Sequence, residues 1–230
     1  MAAPGAGRER GVIRILLADD QSLVRAGFRL ILETEGDLEV VGETADGRQA
    51  VAAARELRPD LVLMDIRMPV LDGIGATREL ARASATAKVL VLTTFDDDAL
   101  VHDALRAGAS GFLLKDVDPP DLVHACRTVV RDEALLAPAI TRRLIERFLA
   151  TPPPGRPPTA FSRLTARELE VFTLMARGLN NQEVADRLVI SATTVRTHIT
   201  RILAKLGLRD RVHAVVFGYE SGLVRPGEGA

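Results

Sequence analysis

The chain has one cysteine, one tyrosine and no tryptophan in 230 residues, and aromatics make up 3% of it. A lone thiol, Cys126, cannot close a disulfide within the chain, so a cystine-stapled framework is excluded and a reducing compartment is expected. Its place in an apolar helical stretch gives it a core-packing role. Long apolar runs are also missing: none approaches the length needed to span a bilayer, and residues 1–11 lack the apolar stretch of a secretion signal. A soluble, cytoplasmic protein is the expectation. Net charge is absent too, at -1 over the whole chain.

That balance conceals two halves of opposite sign. Residues 12–132 carry 14 Lys/Arg against 21 Asp/Glu, a net of -7, whereas residues 161–225 carry 10 against 6, a net of +4. The length allows two domains of roughly 100 to 200 residues each, and the charges give them separate partners, with the basic half the one suited to a polyanion.

In the acidic half, short apolar runs at 13–18, 38–43, 61–64, 88–93 and 111–114 alternate with amphipathic stretches at 22–35, 47–57, 73–83, 98–107 and 120–131. Five such repeats predict an α/β fold, a doubly wound five-strand parallel sheet of the flavodoxin-like kind over residues 12–132. Residues 133–159 form a linker, with a short helix expected at 138–150 and then the tether Thr151-Pro152-Pro153-Pro154-Gly155-Arg156-Pro157-Pro158, extended by its prolines. Residues 160–225 contain four helical segments and no convincing strand, a small all-α helix-turn-helix domain.

Chemistry gathers at the ends of the predicted strands. Asp19-Asp20 follows the first strand, Asp65 the third, Thr93 the fourth and Lys115 the fifth. In a flavodoxin-like strand order the first and third strands are neighbours, and ligands sit beyond their carboxyl ends. Asp19, Asp20 and Asp65 would then converge. Three close carboxylates repel one another unless a hard divalent cation sits among them, and oxygen donors suit Mg²⁺. A carboxylate held in this way can attack a phosphoryl donor and become an acyl phosphate, with Asp65 as nucleophile, Lys115 as compensating cation and the Thr93 hydroxyl donating to a phosphoryl oxygen. Singly, Asp20 reads as a helix cap, Lys115 as a solvated turn residue and Thr93 as a strand end. Four coincidences at equivalent strand ends favour the joint reading. Asp72-Gly73 reads as the turn before the next helix.

On these residues, Asp19-Asp20, Asp65-x-x-Met68-Pro69-x-x-Asp72-Gly73, Thr93 and Gly111-Phe112-x-x-Lys115, the stretch 12–132 resembles the receiver domain of bacterial two-component response regulators. The resemblance implies a sensor histidine kinase as phosphodonor and Mg²⁺ held by Asp20, Asp65 and the backbone carbonyl of Arg67, with Asp19 assisting through water. It also implies a switch in which Thr93 moves toward the phosphoryl group and Phe112 turns inward. Asp116 stands where the family often has proline, a variation that resembles the NarL/FixJ subgroup. A phosphohydrolase with an aspartyl-phosphate intermediate is disfavoured, since it wants an acid where Arg67 stands, and a phosphorylation-independent adaptor would typically have lost a member of the set. The chain is therefore expected not to be an enzyme beyond its own phosphorylation and dephosphorylation. Bulky Arg67 and Phe95 predict slow loss of the phosphate.

In the basic half, Thr165-Ala166-Arg167-Glu168 and Asn180-Asn181-Gln182-Glu183 both have the form of capping boxes, and Ser191 caps a third helix. That is helix-turn-helix spacing. In the third helix Val195, Ile199, Ile202, Leu203 and Leu206 make one apolar stripe, leaving Thr194, Arg196, Thr197, Thr200 and Arg201 for a major groove, while His198 flanks the stripe as a structural residue. Val212, Val215, Val216 and Tyr219 form another stripe, either core or a dimer seam. The segment 161–224 resembles the LuxR-type DNA-binding domain through Leu164-Thr165-x-Arg167-Glu168-x-Glu170-Val171, Asn181-x-Glu183-Val184-Ala185 and Ser191-x-x-Thr194-Val195-Arg196-x-His198. Together the two halves resemble a NarL/FixJ-type response regulator, a DNA-binding transcription regulator switched at Asp65. The resemblance implies double-stranded DNA with an inverted repeat as target, groove contacts from Arg196 and Thr197, and a homodimer paired through the last helix when phosphorylated. Thr200 departs from the lysine common at its place, with Arg201 a substitute. The opposite charges predict that the acidic half covers the basic DNA face until phosphorylation.

Overall fold

The computed structural model describes residues 11–83, 87–93, 98–130 and 159–224. Five strands, β1 (Ile13–Ala18), β2 (Leu38–Thr44), β3 (Leu61–Asp65), β4 (Lys88–Thr93) and β5 (Gly111–Leu114), pair only in parallel, in the order β2-β1-β3-β4-β5. This is the flavodoxin-like order, with the reversal between β1 and β3. Helices α1 (Ser22–Glu33), α2 (Gly47–Leu57), α3 (Gly73–Arg82), α4 (Asp98–Ala107) and α5 (Pro119–Val130) alternate with the strands.

Alternate side chains of a strand point to opposite faces, so a sheet covered on both sides needs strands that are apolar throughout. Leu16, Val62, Met64, Val89 and Val91 enter one core with residues of α2, α3 and α4. Ile15, Leu17, Leu61, Leu63, Leu90 and Leu92 enter the other with α1 and α5, where Cys126 is fully buried. Burial pushes the Cys126 thiol up to about 12, which keeps it protonated and inert as a nucleophile. Asp46 caps α2 by accepting from Gln49 N at 2.8 Å, and Asp72 caps α3 by accepting from Gly75 N at 2.6 Å. The expected strand ends agree to within a residue, and α1 stops two residues early at Glu33.

The second half starts with a 3₁₀ turn at Thr159–Arg163, followed by α6 (Ala166–Ala176), α7 (Asn181–Leu188), α8 (Ala192–Leu206) and α9 (Arg211–Glu220). Both capping boxes form: Thr165 with Glu168, and Asn180 with Glu183. Ser191 accepts from Thr194 N and starts α8. Val171, Phe172, Met175, Val184, Val195, Ile199, Ile202 and Val215 fill a separate core. At the start of α6, Glu168 also holds Lys205 near the end of α8 at 2.6 Å. The expected helix at 138–150, the tether and Phe95 lie outside the described residues.

The two halves touch through α9 and the α8–α9 loop. Val212 is buried in the core of the first half with α3 and α4, and Val216 packs partly against it, whereas Val215 and Tyr219 serve the second domain's own core. The stripe read on the last helix is thus divided between two cores. Arg209 donates to the carbonyl oxygens of Ala87 and Gly108, at 3.2 and 3.4 Å, and Lys88 Nζ donates to Arg209 O at 3.2 Å. Thr194, Arg196, Thr197, Thr200 and Arg201 are all exposed. The acidic half therefore covers the last helix and leaves open the α8 face that the charge argument had it covering; Val212 and Val216 of α9 and the polar bonds of Arg209 and Lys88 make the contact.

Candidate functional site

The site lies where the strand order reverses. Ala18 of β1 pairs with Met64 of β3, so Asp19 and Asp65 leave adjacent strands side by side. Asp19, Asp20 and Asp65 each offer a carboxylate oxygen, all within 4.8 Å of one another. Asp19 and Asp65 are buried and Asp20 is exposed, so the cluster has a closed floor and an open mouth. Asp20 does not cap α1: the N-cap is Gln21, which makes no side-chain cap bond, and Asp19 Oδ1 accepts from Gln21 N at 2.9 Å. Its carboxylate is left to the cluster.

Lys115, only 8% exposed, reaches from the end of β5 to Asp19 at 2.6 Å and to Asp65 at 3.1 Å. Burial raises the pKa of Asp65 above the ordinary carboxylate value; Asp19 adds to the rise and Lys115 opposes it. Thr93 is buried at the end of β4, and its carbonyl accepts from Lys115 N at 2.8 Å, which ties the hydroxyl-bearing strand to the lysine. Arg67 is exposed beside the mouth, two residues beyond Asp65. All the residues expected here are brought to one end of the sheet. The donor set is oxygen-rich, anionic and open on one side, which fits a hard divalent ion with water in its outer positions.

Phe112 is 1% exposed and packed among Val91, Val101, Ala104 and Leu105, so it already lies inward. Gly73 has a role beyond the turn assigned to it: a Cβ there would overlap the Asp65 carbonyl oxygen, and Gly73 N donates to Ile66 O at 2.9 Å. The absence of a side chain lets α3 begin against the backbone at the end of β3. A glycine at the start of a helix, where propensity disfavours it, was the available signal.

The second site is built on α8. Thr197 and Thr200 donate their hydroxyls to Thr193 O and Arg196 O, each at 3.1 Å, and Ser191 Oγ lies 2.8 Å from Thr194 Oγ1. With the hydroxyl protons of Thr197 and Thr200 committed to the helix, their methyls and remaining lone pairs are what they present outward. Val189, which closes α7, has φ of 54° and is 89% exposed, a strained conformation for a β-branched residue. It makes the sharp turn between α7 and α8.

A doubly wound sheet with an acidic pocket at its strand ends, followed by a helix-turn-helix, is the two-module layout of a DNA-binding regulator. Residues 15–127 match the family described as response regulator receiver domain, and residues 162–217 the one described as bacterial regulatory proteins, luxR family. The transcriptional regulatory protein YxjL of Bacillus subtilis is 40% identical over 213 residues, spanning 93% of this chain and 98% of that protein. The response regulator VraR of Staphylococcus aureus is 38% identical over 93% of this chain and 99% of its own. The solved structure of ChrA, a response regulator of a heme-sensing two-component system, is 37% identical, with a TM-score of 0.51, covering 93% of this chain and all of that one. The chain belongs to the two-component response regulators that couple a receiver to a LuxR-type DNA-binding domain, a family of transcriptional regulators and not of catalytic enzymes.

Proposed function

We propose that Asp65 accepts a phosphoryl group from a sensor histidine kinase, or from a small donor such as acetyl phosphate, and that the acyl phosphate controls binding of α8 to DNA. The observation that carries this reading is the buried Asp65 carboxylate, flanked by Asp19 and Asp20 and held by Lys115 at 3.1 Å. An Asp65 oxygen attacks phosphorus in line, the O–P bond forms, and the donor's bond to phosphorus breaks. Mg²⁺, when bound, neutralises charge on the transferring group. Asp19, Asp20, Asp65 and the Arg67 carbonyl would hold it. Lys115 stays with the added negative charge, and the Thr93 hydroxyl is positioned at the strand end to donate to a phosphoryl oxygen.

On the second domain, Arg196 and Arg201 supply the charge that binds phosphates or guanine edges, and Thr194, Thr197 and Thr200 supply methyls and acceptors to the major groove. A homodimer on an inverted repeat places two copies of α8 in successive grooves. Such a protein acts in the cytoplasm, where kinase and chromosome meet. No helix among the described residues is long and apolar enough to cross a membrane.

The test is mass spectrometry after borohydride reduction of protein incubated with acetyl phosphate and Mg²⁺. The modification is expected on Asp65 and is expected to vanish in Asp65→Asn and with chelator. A label on another residue, or one that survives Asp65→Asn, overturns the assignment.

A further inference from the structure

The loop that carries Asp19 and Asp20 is anchored from outside the pocket. β1 ends at Ala18 and α1 begins at Ser22, so three residues must turn the chain and aim two carboxylates at Asp65. Asp19 N donates to Thr44 O at 3.1 Å, and Asp19 Oδ1 accepts from Gln21 N at 2.9 Å. The Asp19 carbonyl accepts from the Arg25 guanidinium at 2.6 Å. That carbonyl shares a planar peptide unit with the nitrogen of Asp20, so holding it holds the plane from which Asp20 leaves the chain.

Arg25 is held in turn. Its Nε pairs with Glu43 of β2 at 3.2 Å, and its side chain is 16% exposed. Glu43 also takes Arg29 at 2.5 Å, and Arg29 reaches Glu33 at 2.6 Å, so a chain of alternating charges runs along α1 and the edge strand. An ion pair at the surface adds little stability by itself. Here one planar guanidinium serves a carboxylate and a backbone carbonyl together, and its rigid fork sets the direction of both bonds. The bond to the carbonyl ties the edge of the sheet to the acidic loop.

We propose that Arg25, locked by Glu43, is a positioning residue for the cation site: its bond to the Asp19 carbonyl holds Asp20 where it can share Mg²⁺ with Asp65. The proposal rests on the metal reading given above. Arg25 acts through the Asp19 peptide and not on the ion, and groups that orient a ligand in this way raise metal affinity about tenfold or more. Charge and position pull in opposite directions. A cation beside three carboxylates weakens Mg²⁺ binding by repulsion, so removing it tightens binding if charge is its whole effect and weakens binding if position is.

The experiment is calorimetric titration of the full-length chain with Mg²⁺, without phosphodonor, after melting curves in chelator confirm folding. Arg25→Met keeps the apolar stem and removes the guanidinium, and is expected to weaken Mg²⁺ binding about tenfold. Arg25→Lys keeps the charge without the fork and is expected to weaken it about threefold. Arg25→Met combined with Glu43→Gln has the parent's net charge and is expected to remain as weak as Arg25→Met. The Mg²⁺ concentration giving half-maximal phosphorylation by acetyl phosphate should rise by the same factors, with the rate at saturating Mg²⁺ retained. Equal or tighter binding in Arg25→Met overturns the proposal, as does recovery of parent affinity in the double variant. If Arg25→Met does not fold, Arg25→Lys decides, and parent affinity there overturns it. Asp20→Asn is titrated alongside. A parent that takes up no Mg²⁺, or binds it no better than Asp20→Asn, overturns the metal reading and this proposal with it, whereas a normal parent with an unaltered Arg25→Met overturns this proposal alone.

Discussion

The two sites of this molecule are built by opposite means. At the acidic pocket the side chains are sunk into the protein: those of Asp65, Asp19, Thr93 and Lys115 are almost wholly buried, and their positions are fixed by the sheet beneath them. On α8 every expected contact residue is exposed and is positioned only by its own helix. Chemistry on one small group needs a fixed, partly dehydrated charge arrangement. Recognition of a long polyanion needs an accessible convex surface whose partner supplies half of the order. Substitutions should therefore act on stability and chemistry together in the first region, and on binding alone in the second.

The sharpest way to break this contrast is at Asp65, where Asn is isosteric but cannot form an acyl phosphate. All phosphoryl acceptance is expected to be lost while the fold persists, as judged by gel retardation of the phosphorylated species and by circular dichroism. Lys115 comes next. Lys115→Met leaves Asp19 and Asp65 buried without their cation, and removing one partner of such a pair costs roughly 3 kcal/mol. Denaturant unfolding should show that loss, with part of it restored by Mg²⁺. No restoration would mean that the carboxylates do not bind the ion.

At the second site, Arg196→Ala is expected to cost about 1 to 3 kcal/mol of DNA binding if Arg196 reads a base, with no change in melting temperature. Titrations on cognate and scrambled sequences at several salt concentrations separate the roles. Equal weakening on all sequences with a shallower salt slope assigns the residue to phosphate.

A pH experiment probes the second domain's own framework. The Lys205 ammonium, with the Thr165 backbone N–H, holds Glu168 down to about 2, below the ordinary glutamate value. A folded-state pKa below the unfolded one gives stability that is complete above about pH 4.3 and is lost as pH falls toward 2. Thermal melts of the parent and of Glu168→Gln should therefore converge across that window. Curves that stay parallel down to pH 2 would remove the pair as a source of stability.

The smallest expected effect is at Val189, whose φ of 54° favours glycine. Val189→Gly relieves strain and adds unfolded-state entropy, leaving a net gain of about 1 kcal/mol. A lower melting temperature would show that the exposed valine makes a contact that outweighs its strain.

The legibility of the sequence follows the same division. Strands of continuous apolar residues and helices opened by Asp46, Asp72, Thr165, Asn180 and Ser191 are local signals, and the elements formed where those signals lie. The acidic pocket was legible because one strand order brings Asp19 and Asp65 together. The contact between the halves was not, because Val212 and Val216 share a helical stripe with Val215 and Tyr219 and nothing local assigns them to a different core. Net charge pointed to the wrong surface for a related reason: a difference between -7 and +4 gives attraction without location. Gly73 and Val189 escaped as well, since close backbone approach and a left-handed turn depend on where the chain goes next.

The account as a whole states that phosphate on Asp65 controls DNA binding by α8. Its most direct test is the affinity of the full-length protein for operator DNA recovered by footprinting on its own genome, measured at fixed salt with and without acetyl phosphate and Mg²⁺. The account predicts tighter binding by the phosphorylated protein and no change in Asp65→Asn. Equal affinity at full phosphate occupancy, or a gain that persists in Asp65→Asn, would contradict it.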